Sequence, residues 1–255
     1  MKLTKLNNKI LKALALLGLL LFCACNKQAT LVHIEGRTMG TQYNVKFFTS
    51  NGELGDKEKA KEEIDEVLKK VNKEMSTYLK DSEISYFNQT DRLGWLKISK
   101  DFFNVTVYAL KLAEETEGAF DPTIGPLVNL WGFGPGGERK VPEQVQIEEA
   151  LKRVGYDKIS LNSEKFEIKK KVPGVYLDLS ALAKGFGVDK VADFIESKGI
   201  ANYMVEIGGE VRTKGQKGDK SSWKIAIEAP HPTSQGESYQ RILNLNSLSL
   251  ATSGN

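Results

Sequence analysis

Five short segments combine hydroxyl, carboxylate, lysine and glycine residues, and these are the parts of the sequence best suited to binding or chemistry. They are Thr38-Met39-Gly40-Thr41, Met75-Ser76-Thr77-Tyr78, Gly118-Ala119-Phe120-Asp121-Pro122-Thr123, the run from Asp178 to Gly185, and the run from Glu206 to Glu210. The 255 residues include two His and two Cys, which nearly excludes a His-rich zinc site or several His general bases. Chemistry in this chain must rest on carboxylates, hydroxyls, lysines and backbone groups.

For several of these residues, either a structural role or a functional role would explain the residue type. Asp178 follows an apolar segment and precedes a predicted helix, so it is either an acid that meets the helix dipole or a binding group. Lys184 lies one to two turns further along that helix and is followed by glycine, which would let a flat ligand approach closely. Tyr78 and Phe120 are, from local pattern alone, better explained as core aromatics. The sequence leaves both interpretations open.

The composition is that of a globular protein with no sign of nucleic-acid binding. Hydrophobic residues make up 40% of the chain, and 36 Lys and Arg face 33 Asp and Glu, a formal net charge of +3. That charge is small, and no run of basic residues is interleaved with aromatics. His33 and His231 have no partner pattern and are predicted at the surface.

A glycine-rich segment in the middle of the chain matches the dinucleotide-binding pattern G-x-G-x-x-G. It runs from Gly132 to Gly137, and Asp157 follows twenty residues later. A phosphate-binding turn of this kind must join a strand directly to a helix. Pro135 lies inside the segment and the next helical pattern begins several residues too late, so we predict a surface loop. No P-loop motif occurs.

The N-terminal residues have the pattern of an export signal. Four lysines precede an apolar stretch over 13–22 that is too short to span a bilayer comfortably, and Phe22-Cys23-Ala24-Cys25 follows. This resembles a bacterial lipoprotein signal, in which a small residue precedes the acylated cysteine, so Cys25 is the predicted lipidation site. An uncleaved anchor and a plain secretory signal are the alternatives. Without residues 1–24 the chain has 32 basic and 33 acidic residues, and its net charge is −1.

Hydrophobic periodicity predicts helices and strands in alternation. Helices are predicted over 57–75 with Asp56 as N-cap, over 100–117 behind Ser99, from about 142 to 155, and over 181–198. Strands are predicted in a hairpin within 30–48, in a second hairpin over 158–161 and 165–169, and over 175–179, 203–207, 223–228 and 241–245. The sum is an α+β architecture with two lobes and a cleft between them.

In order along the chain, the motifs resemble one family. They are G-x-T-M-G-T, M-S-T-Y followed by D-S-E-I-S-x-F-N, G-A-F-D-P-T with P-L-V-N-L-W-G-F-G, L-D-L-S-A-x-A-K-G with G-V-D-K-V-A, and E-I-G-G-E. The sequence is similar to the bacterial FAD:protein FMN transferases, also called the ApbE family, over about residues 34–255. The resemblance implies mixed or antiparallel sheets flanked by helices, and it places the glycine-rich segment in a family loop.

The resemblance also implies a reaction and a set of site residues. Such enzymes split the pyrophosphate of FAD, transfer FMN to a threonine or serine hydroxyl of a target protein, and release AMP. The family's FAD-binding positions correspond here to Met39, Tyr78, Ala119, Phe120, Asp121, Asp178 and Lys184. We expect Tyr78 and Phe120 to offer flat contacts to the ring systems, Asp121 and Asp178 to accept hydrogen bonds from the nucleotide, and Lys184 to place positive charge near it.

The implied cofactor is Mg²⁺, whose site is only partly represented. Ala181 falls where a backbone carbonyl helps to hold the metal, which suits a cation that prefers oxygen ligands. The family's remaining metal ligands lie in a D-A-L-x-T motif downstream of an A-T-S-G-D/N-Y signature, and this chain stops within that signature at Asn255. We therefore expect the 255 residues alone to bind FAD weakly or not at all and to transfer no FMN. Glu210 is a weaker candidate for a further polar contact.

Two alternative functions stay open from the sequence. One is hydrolysis of FAD to FMN and AMP, with water in place of the protein hydroxyl. The other is a non-catalytic lipoprotein that stores or delivers flavin. For the transferase, the expected partners are FAD and an acceptor protein, such as a threonine-bearing subunit of a respiratory flavoprotein. The predicted location is the bacterial cell envelope, with a lipid anchor in a membrane and the domain facing the periplasm or exterior.

Overall fold

The structure is a computed structural model that describes residues 29–50, 54–135, 137–229 and 239–253. The predicted signal segment with Cys25, and His231, lie outside these residues. In the described part of the chain the helices are α1 (Lys57–Met75), α2 (Glu83–Gln89), α3 (Lys100–Glu115), α4 (Gly125–Leu130), α5 (Gln144–Leu151) and α6 (Ser180–Ser197). The strands are β1 (Thr30–Thr38), β2 (Thr41–Thr49), β3 (Leu96–Lys97), β4 (Ile159–Asn162), β5 (Glu167–Lys170), β6 (Tyr203–Ile207), β7 (Glu210–Lys214), β8 (Trp223–Glu228), β9 (Tyr239–Leu245) and β10 (Ser249–Leu250).

Three antiparallel sheets form the β part of the fold. The largest has five strands in the order β1-β2-β6-β7-β10, a second has the order β3-β5-β4, and β8 pairs with β9. In the largest sheet, buried and less buried side chains alternate along β2, because one face packs against helices. The prediction of an α+β fold with antiparallel sheets is confirmed.

Helix α1 forms where the sequence predicts it, from Lys57 to Met75. The Asp56 carboxylate accepts hydrogen bonds from the amides of Glu58 and Lys59, at 3.1 and 3.2 Å, and so caps the first turn. Ile64 and Leu68, one turn apart, are buried, while the lysines and glutamates of the other face meet solvent. Local signals are sufficient for this helix.

The described residues form three hydrophobic cores, and the two larger ones share two helices, while the third is small and lies around Trp223. In the first, β1, β2 and β6 pack against the body of α1 and α6. In the second, α2, α3 and the β3-β5-β4 sheet pack around the end of α1 and the start of α6. Helices α1 and α6 therefore belong to both cores and join them.

The segment 175–179 is buried as predicted but is not a strand. Val175, Leu177 and Leu179 are fully buried, yet no neighbouring strand pairs with them. Instead, the Asn88 side chain bonds both backbone groups of Leu177, accepting from its amide and donating to its carbonyl at 2.8 Å each. A side-chain amide thus takes the place of a partner strand.

Other differences from the prediction are at element ends and in short elements. The helix expected from about 142 to 155 is shorter, from Gln144 to Leu151, because the chain then turns through Gly155 with a φ of 145°. Helices α2 and α4 and strands β3, β7 and β10 lie outside the predicted elements. The two helices have seven and six residues, too few to show a clear helical period. In the described part of the chain, no helix is long and apolar enough to cross a membrane.

Candidate functional site

A cavity of about 620 Å³ opens where the two cores meet. Its walls come from the β1–β2 turn, the end of α1 with the loop that follows, and the first turns of α6. The lining residues are Met39, Gly40, Val71, Asn72, Met75, Ser76, Thr77, Tyr78, Leu79, Ser180, Ala183 and Lys184. A cavity of this size with apolar walls and a few polar groups suits a nucleotide-sized ligand. Three of the predicted site residues, Met39, Tyr78 and Lys184, share this cavity.

The N-terminus of α6 lies at one wall of the cavity. The residue before the helix, Leu179, offers no side-chain cap, and the carboxylate of Asp178 accepts a hydrogen bond from the Ser180 amide at 2.8 Å. The partial positive charge of a helix N-terminus favours anionic groups. Asp178 is therefore the acid at the helix start that the sequence offered as one interpretation, and it lies beside the cavity.

Lys184 enters the cavity from the second turn of α6 and is held in place by two oxygens. Its Nζ lies 2.7 Å from Oε2 of Glu210 and donates to the carbonyl of Gly208 at 3.2 Å. Gly208 lies in the β6–β7 turn, in which Gly208 and Gly209 have φ values of 53° and 93°, and Glu210 is the first residue of β7. The E-I-G-G-E motif thus contacts Lys184, which in turn lines the cavity.

Tyr78 is presented by a loop with a well-defined internal structure. The hydroxyls of Ser82 and Ser85 donate to the Ser76 carbonyl at 2.6 and 3.3 Å, and Lys73 forms an ion pair with Asp81 across the loop. The Tyr78 side chain is 64% exposed. The interpretation of Tyr78 as a core aromatic is therefore wrong, because the loop turns the ring out of the core towards the cavity.

Met39 occupies the β1–β2 turn in a left-handed backbone conformation. Its φ is 49° and that of Gly40 is 74°, a combination that suits the twist of a two-residue hairpin. A left-handed residue other than Gly or Asn costs on the order of 1 kcal/mol and is typical of functional positions. The Met39 side chain reaches α6 at Gly187, where an added Cβ would lie 3.0 Å from the Met39 Cε. Met39 can lie against this helix because Gly187 has no side chain.

The predicted residues Ala119, Phe120 and Asp121 form a loop that is joined to the start of α6 and does not line the cavity. The amide of Asp178 donates to the Pro122 carbonyl at 2.7 Å. Ala119 is exposed, and Phe120 is half-buried against the second core, as the core interpretation expected.

Asp121 uses both carboxylate oxygens to shape this loop. Oδ1 accepts hydrogen bonds from the amide and hydroxyl of Thr123 at 2.7 and 2.6 Å, and Oδ2 accepts from the amide of Tyr156 at 3.0 Å. The hydroxyl of Thr123 in turn accepts from the Gly155 amide at 2.7 Å. The structure thus gives Asp121 a clear role in holding the loop in place.

A second cavity of about 510 Å³ adjoins the first and contains residues that sequence reasoning missed. It shares Thr77 and Tyr78 with the first cavity and is also lined by Asn88, Asn129 and Tyr176. Burial raises the pKa of the Tyr176 hydroxyl. Asn129 lies in the quoted P-L-V-N-L-W-G-F-G motif, which is the one sequence signal that could have pointed to it.

The predicted metal ligand Ala181 lies at the start of α6. Ala181 is exposed in the first turn of α6, where its carbonyl belongs to the helix. Among the described residues, no group of three or more His, Cys, Asp or Glu side chains is arranged to hold a metal ion. The glycine-rich segment is a loop, as predicted, since it follows helix α4 and α5 begins only at Gln144.

Comparison with known proteins gives consistent matches over nearly all of the chain. The model of the ApbE family matches residues 39–255. The FAD:protein FMN transferase of Haemophilus influenzae is 46% identical over 235 residues, which are 91% of this chain and 68% of that protein. The enzyme of the same name from Vibrio cholerae is 44% identical over 243 residues, covering 94% of this chain and 71% of that one.

Solved structures agree with the sequence matches. The flavin transferase ApbE from Vibrio cholerae superimposes with a TM-score of 0.81 at 42% identity, covering 89% of this chain and 72% of that one. The apo form of the Pseudomonas stutzeri flavinyl transferase ApbE gives a TM-score of 0.79 at 33% identity, with 89% and 72% coverage. The family model matches most of this chain, and the chain shares the fold of these enzymes. This chain therefore belongs to the ApbE family.

Proposed function

We propose that this protein is an enzyme that transfers FMN from FAD to a threonine or serine hydroxyl of an acceptor protein and releases AMP. The observation that carries the proposal is the 620 Å³ cavity, in which Lys184 and the N-terminus of α6 face Tyr78 and Met39. Its relatives in Haemophilus influenzae and Vibrio cholerae are named FAD:protein FMN transferases. The cavity offers positive charge for a pyrophosphate and a flat exposed ring for an aromatic system.

The reaction exchanges a phosphoanhydride bond for a phosphoester bond at the FMN phosphorus. The acceptor oxygen forms a bond to that phosphorus, the bond to the bridging oxygen of AMP breaks, and the acceptor hydroxyl loses its proton. Phosphoryl transfer depends mainly on positioning and on stabilising charge. In this proposal Lys184 binds the pyrophosphate near the start of α6, and Tyr78 and Met39 hold a ring system.

The loop over 119–121 has an indirect role in this proposal. Ala119 and Phe120 lie outside the cavity lining, and Asp121 keeps the loop in register through Thr123 and Tyr156. Asp178 holds the start of α6, and in this proposal its carboxylate also accepts a hydrogen bond from the nucleotide.

Dependence on Mg²⁺ is part of the proposal and rests on the family resemblance. A bound Mg²⁺ would neutralise pyrophosphate charge, and it usually binds through few protein oxygens together with substrate phosphates. Ala181 would supply one carbonyl oxygen. Because the described residues supply no cluster of acidic ligands, we derive no step through the metal.

We also propose that the mature protein is lipid-anchored at Cys25 in the cell envelope. The supporting pattern is the lysine-rich start, the short apolar stretch and the small residue before the cysteine. Labelling cells with an alkyne-tagged fatty acid is expected to tag the protein, and Cys25→Ser should abolish the tag while Cys23→Ser leaves it in place. Equal labelling of the Cys25→Ser variant would contradict this assignment.

The transferase activity can be tested directly with the full-length gene product. Purified protein is incubated with FAD, Mg²⁺ and an acceptor that carries one flavinylated threonine, with a Thr→Val acceptor as control. We expect AMP release and covalent flavin on the first acceptor alone, read by fluorescence in denaturing gels and by intact mass. Free FMN and AMP without an acceptor would show hydrolysis, and unchanged FAD would refute both activities.

A further inference from the structure

The ammonium of Lys184 has two oxygen neighbours before any ligand is present. Its Nζ lies 2.7 Å from Oε2 of Glu210 and 3.2 Å from the Gly208 carbonyl. An ammonium has three donors. One donates to the Gly208 carbonyl, and Oε2 of Glu210 pairs with the ammonium by charge without an aligned hydrogen bond. Donors therefore remain for a group in the cavity that Lys184 lines.

Glu210 faces Lys184 and not the cavity. The side chain of Glu210 is 19% exposed and that of Lys184 is 33% exposed. The Oε2 atom of Glu210 is buried, and Glu210 is absent from the residues that line the cavity. A direct contact between this carboxylate and a ligand is therefore less favourable than an indirect action through Lys184.

The β6–β7 turn, which directly precedes Glu210, is held by a hydrogen bond to the Glu206 side chain. One oxygen of Glu206 accepts from the Gly209 amide at 2.8 Å, and the other accepts from the Asn44 side chain at 2.9 Å. Asn44 also lies 3.1 Å from Nε2 of His33, which extends the contacts across three strands. The Gly208 amide donates to the carbonyl of Gln42 at 3.1 Å. The sheet thus anchors the turn on both sides.

We propose that Glu210 is a positioning residue that holds the Lys184 ammonium in the orientation that binds the pyrophosphate of FAD. The identity of the ligand rests on the function proposed above. Fixing the side chain in advance removes its rotamer entropy from the cost of binding. Because Glu210 also cancels the charge of Lys184, its benefit must come from orientation and not from net charge.

The charge-conserving variant Glu210→Asp separates orientation from charge. It keeps the carboxylate but withdraws it by one methylene, so the ammonium must shift or lose its partner. The matched control is Glu63→Asp, since Glu63 and Lys198 form a similarly half-buried pair at 3.5 Å, away from the cavity. Each variant is compared with wild type by thermal unfolding, so that a loss of folding is detected.

The first measurement is the rate at which limiting acetic anhydride modifies each lysine of the ligand-free full-length protein, read by peptide mass spectrometry. We expect Glu210→Asp to speed up modification of Lys184 severalfold, and Glu63→Asp to speed up that of Lys198 while Lys184 is unchanged. An unaltered rate at Lys184 in Glu210→Asp would overturn the proposal.

The second measurement is a double-mutant cycle with Lys184→Met, read as the Kd for FAD and the rate of FMN transfer. We expect Glu210→Asp to raise the Kd about fivefold, as a small misplacement of a binding group does, and Glu63→Asp to leave it unchanged. In the Lys184→Met background the effect of Glu210→Asp should disappear. If it persists there, Glu210 acts directly and the proposal fails. If wild type binds no FAD, the proposed function fails instead, and the acetylation rates still decide whether Glu210 positions Lys184.

Discussion

At the scale of single residues, Lys170 is a fully buried lysine with a structural function. Its Nζ donates to the carbonyls of Asn88 and Thr90 at 3.0 and 2.8 Å and lies 4.9 Å from the centre of the Phe87 ring. These carbonyls lie at the C-terminal end of α2, where a positive charge is favourable. Burial lowers the pKa of Lys170. The Lys170 side chain therefore caps the C-terminal end of α2, a short helix that local sequence signals did not predict.

Replacing Lys170 should destabilise the fold markedly. We expect Lys170→Met to lower the free energy of unfolding by about 2–4 kcal/mol, because two buried carbonyls lose a charged donor. The neighbouring exposed Lys171→Met is the control and should change it by less than about 0.5 kcal/mol. Urea unfolding followed by circular dichroism measures both. Equal stabilities of the two variants would show that α2 does not need this donor.

Replacing Tyr78 should change the affinity for FAD without changing the stability of the fold, in contrast to Lys170. Since the ring is 64% exposed, Tyr78→Ala should alter the unfolding free energy by no more than about 0.5 kcal/mol. If the ring contacts FAD, the Kd should rise about tenfold, and Tyr78→Phe should retain most of the affinity. Tyr108→Ala, at a 61% exposed position outside both cavities, is the matched control. An unchanged Kd for Tyr78→Ala would remove Tyr78 from the proposed site.

At the scale of elements, two tyrosines tie the five-stranded sheet to its two helices. Tyr43 on β2 donates to the carboxylate of Asp65 on α1 at 2.6 Å, and Tyr203 on β6 donates to Glu196 on α6 at 2.6 Å. Both rings are fully buried. Burial, with the adjacent carboxylate, raises the pKa of each hydroxyl well above its ordinary value of 10.0.

These two hydroxyls make the fold sensitive to alkaline conditions. Each tyrosine keeps its proton to a higher pH in the folded state than in the unfolded chain. Its contribution is therefore complete below pH 10 and is lost as the pH rises towards the folded-state pKa. Each should reduce the unfolding free energy by up to about 1.4 kcal/mol per pH unit in that window.

The measurement is urea unfolding at pH 9, 10 and 11. The double variant Tyr43→Phe/Tyr203→Phe is expected to start from a lower stability, because two hydrogen bonds are lost, but to show a shallower decline above pH 10. Tyr108→Phe, at an exposed position, should decline as steeply as wild type. A double variant with the slope of wild type would mean that other groups cause the alkaline loss.

At the scale of the whole molecule, helices α1 and α6 make the two cores interdependent. Ile64 of α1 lies in the first core and Met75 of the same helix lies in the second. In α6, Val191 belongs to the first core and Leu182 packs against the second. Because the cavity lies between these shared helices, its geometry depends on both cores. A single cooperative unit is the expected consequence.

A cavity made in one core should therefore weaken the other. Phe102→Ala removes a fully buried ring from α3 and should cost about 3–5 kcal/mol. Native-state hydrogen exchange is expected to show the same loss of protection in β6, which lies in the first core, as in α3. The reciprocal variant Phe47→Ala, in β2, should reduce protection in α3 equally. Protection that falls only in the mutated core would show that the two cores unfold independently.

Much of this organisation is determined by the sequence alone, because it depends on local signals. The bounds of α1 and its Asp56 cap follow from spacing and one side chain, and the ordered motifs are sufficient to indicate the family and to bring Met39, Tyr78 and Lys184 forward. Only the tertiary structure decides which groups meet. Lys184 on α6 pairs with Glu210 at the start of β7. The Asn88 side chain that takes the place of a partner strand for Leu177 is 89 residues from it in sequence. Such contacts join residues that are distant in sequence, and no local periodicity encodes them.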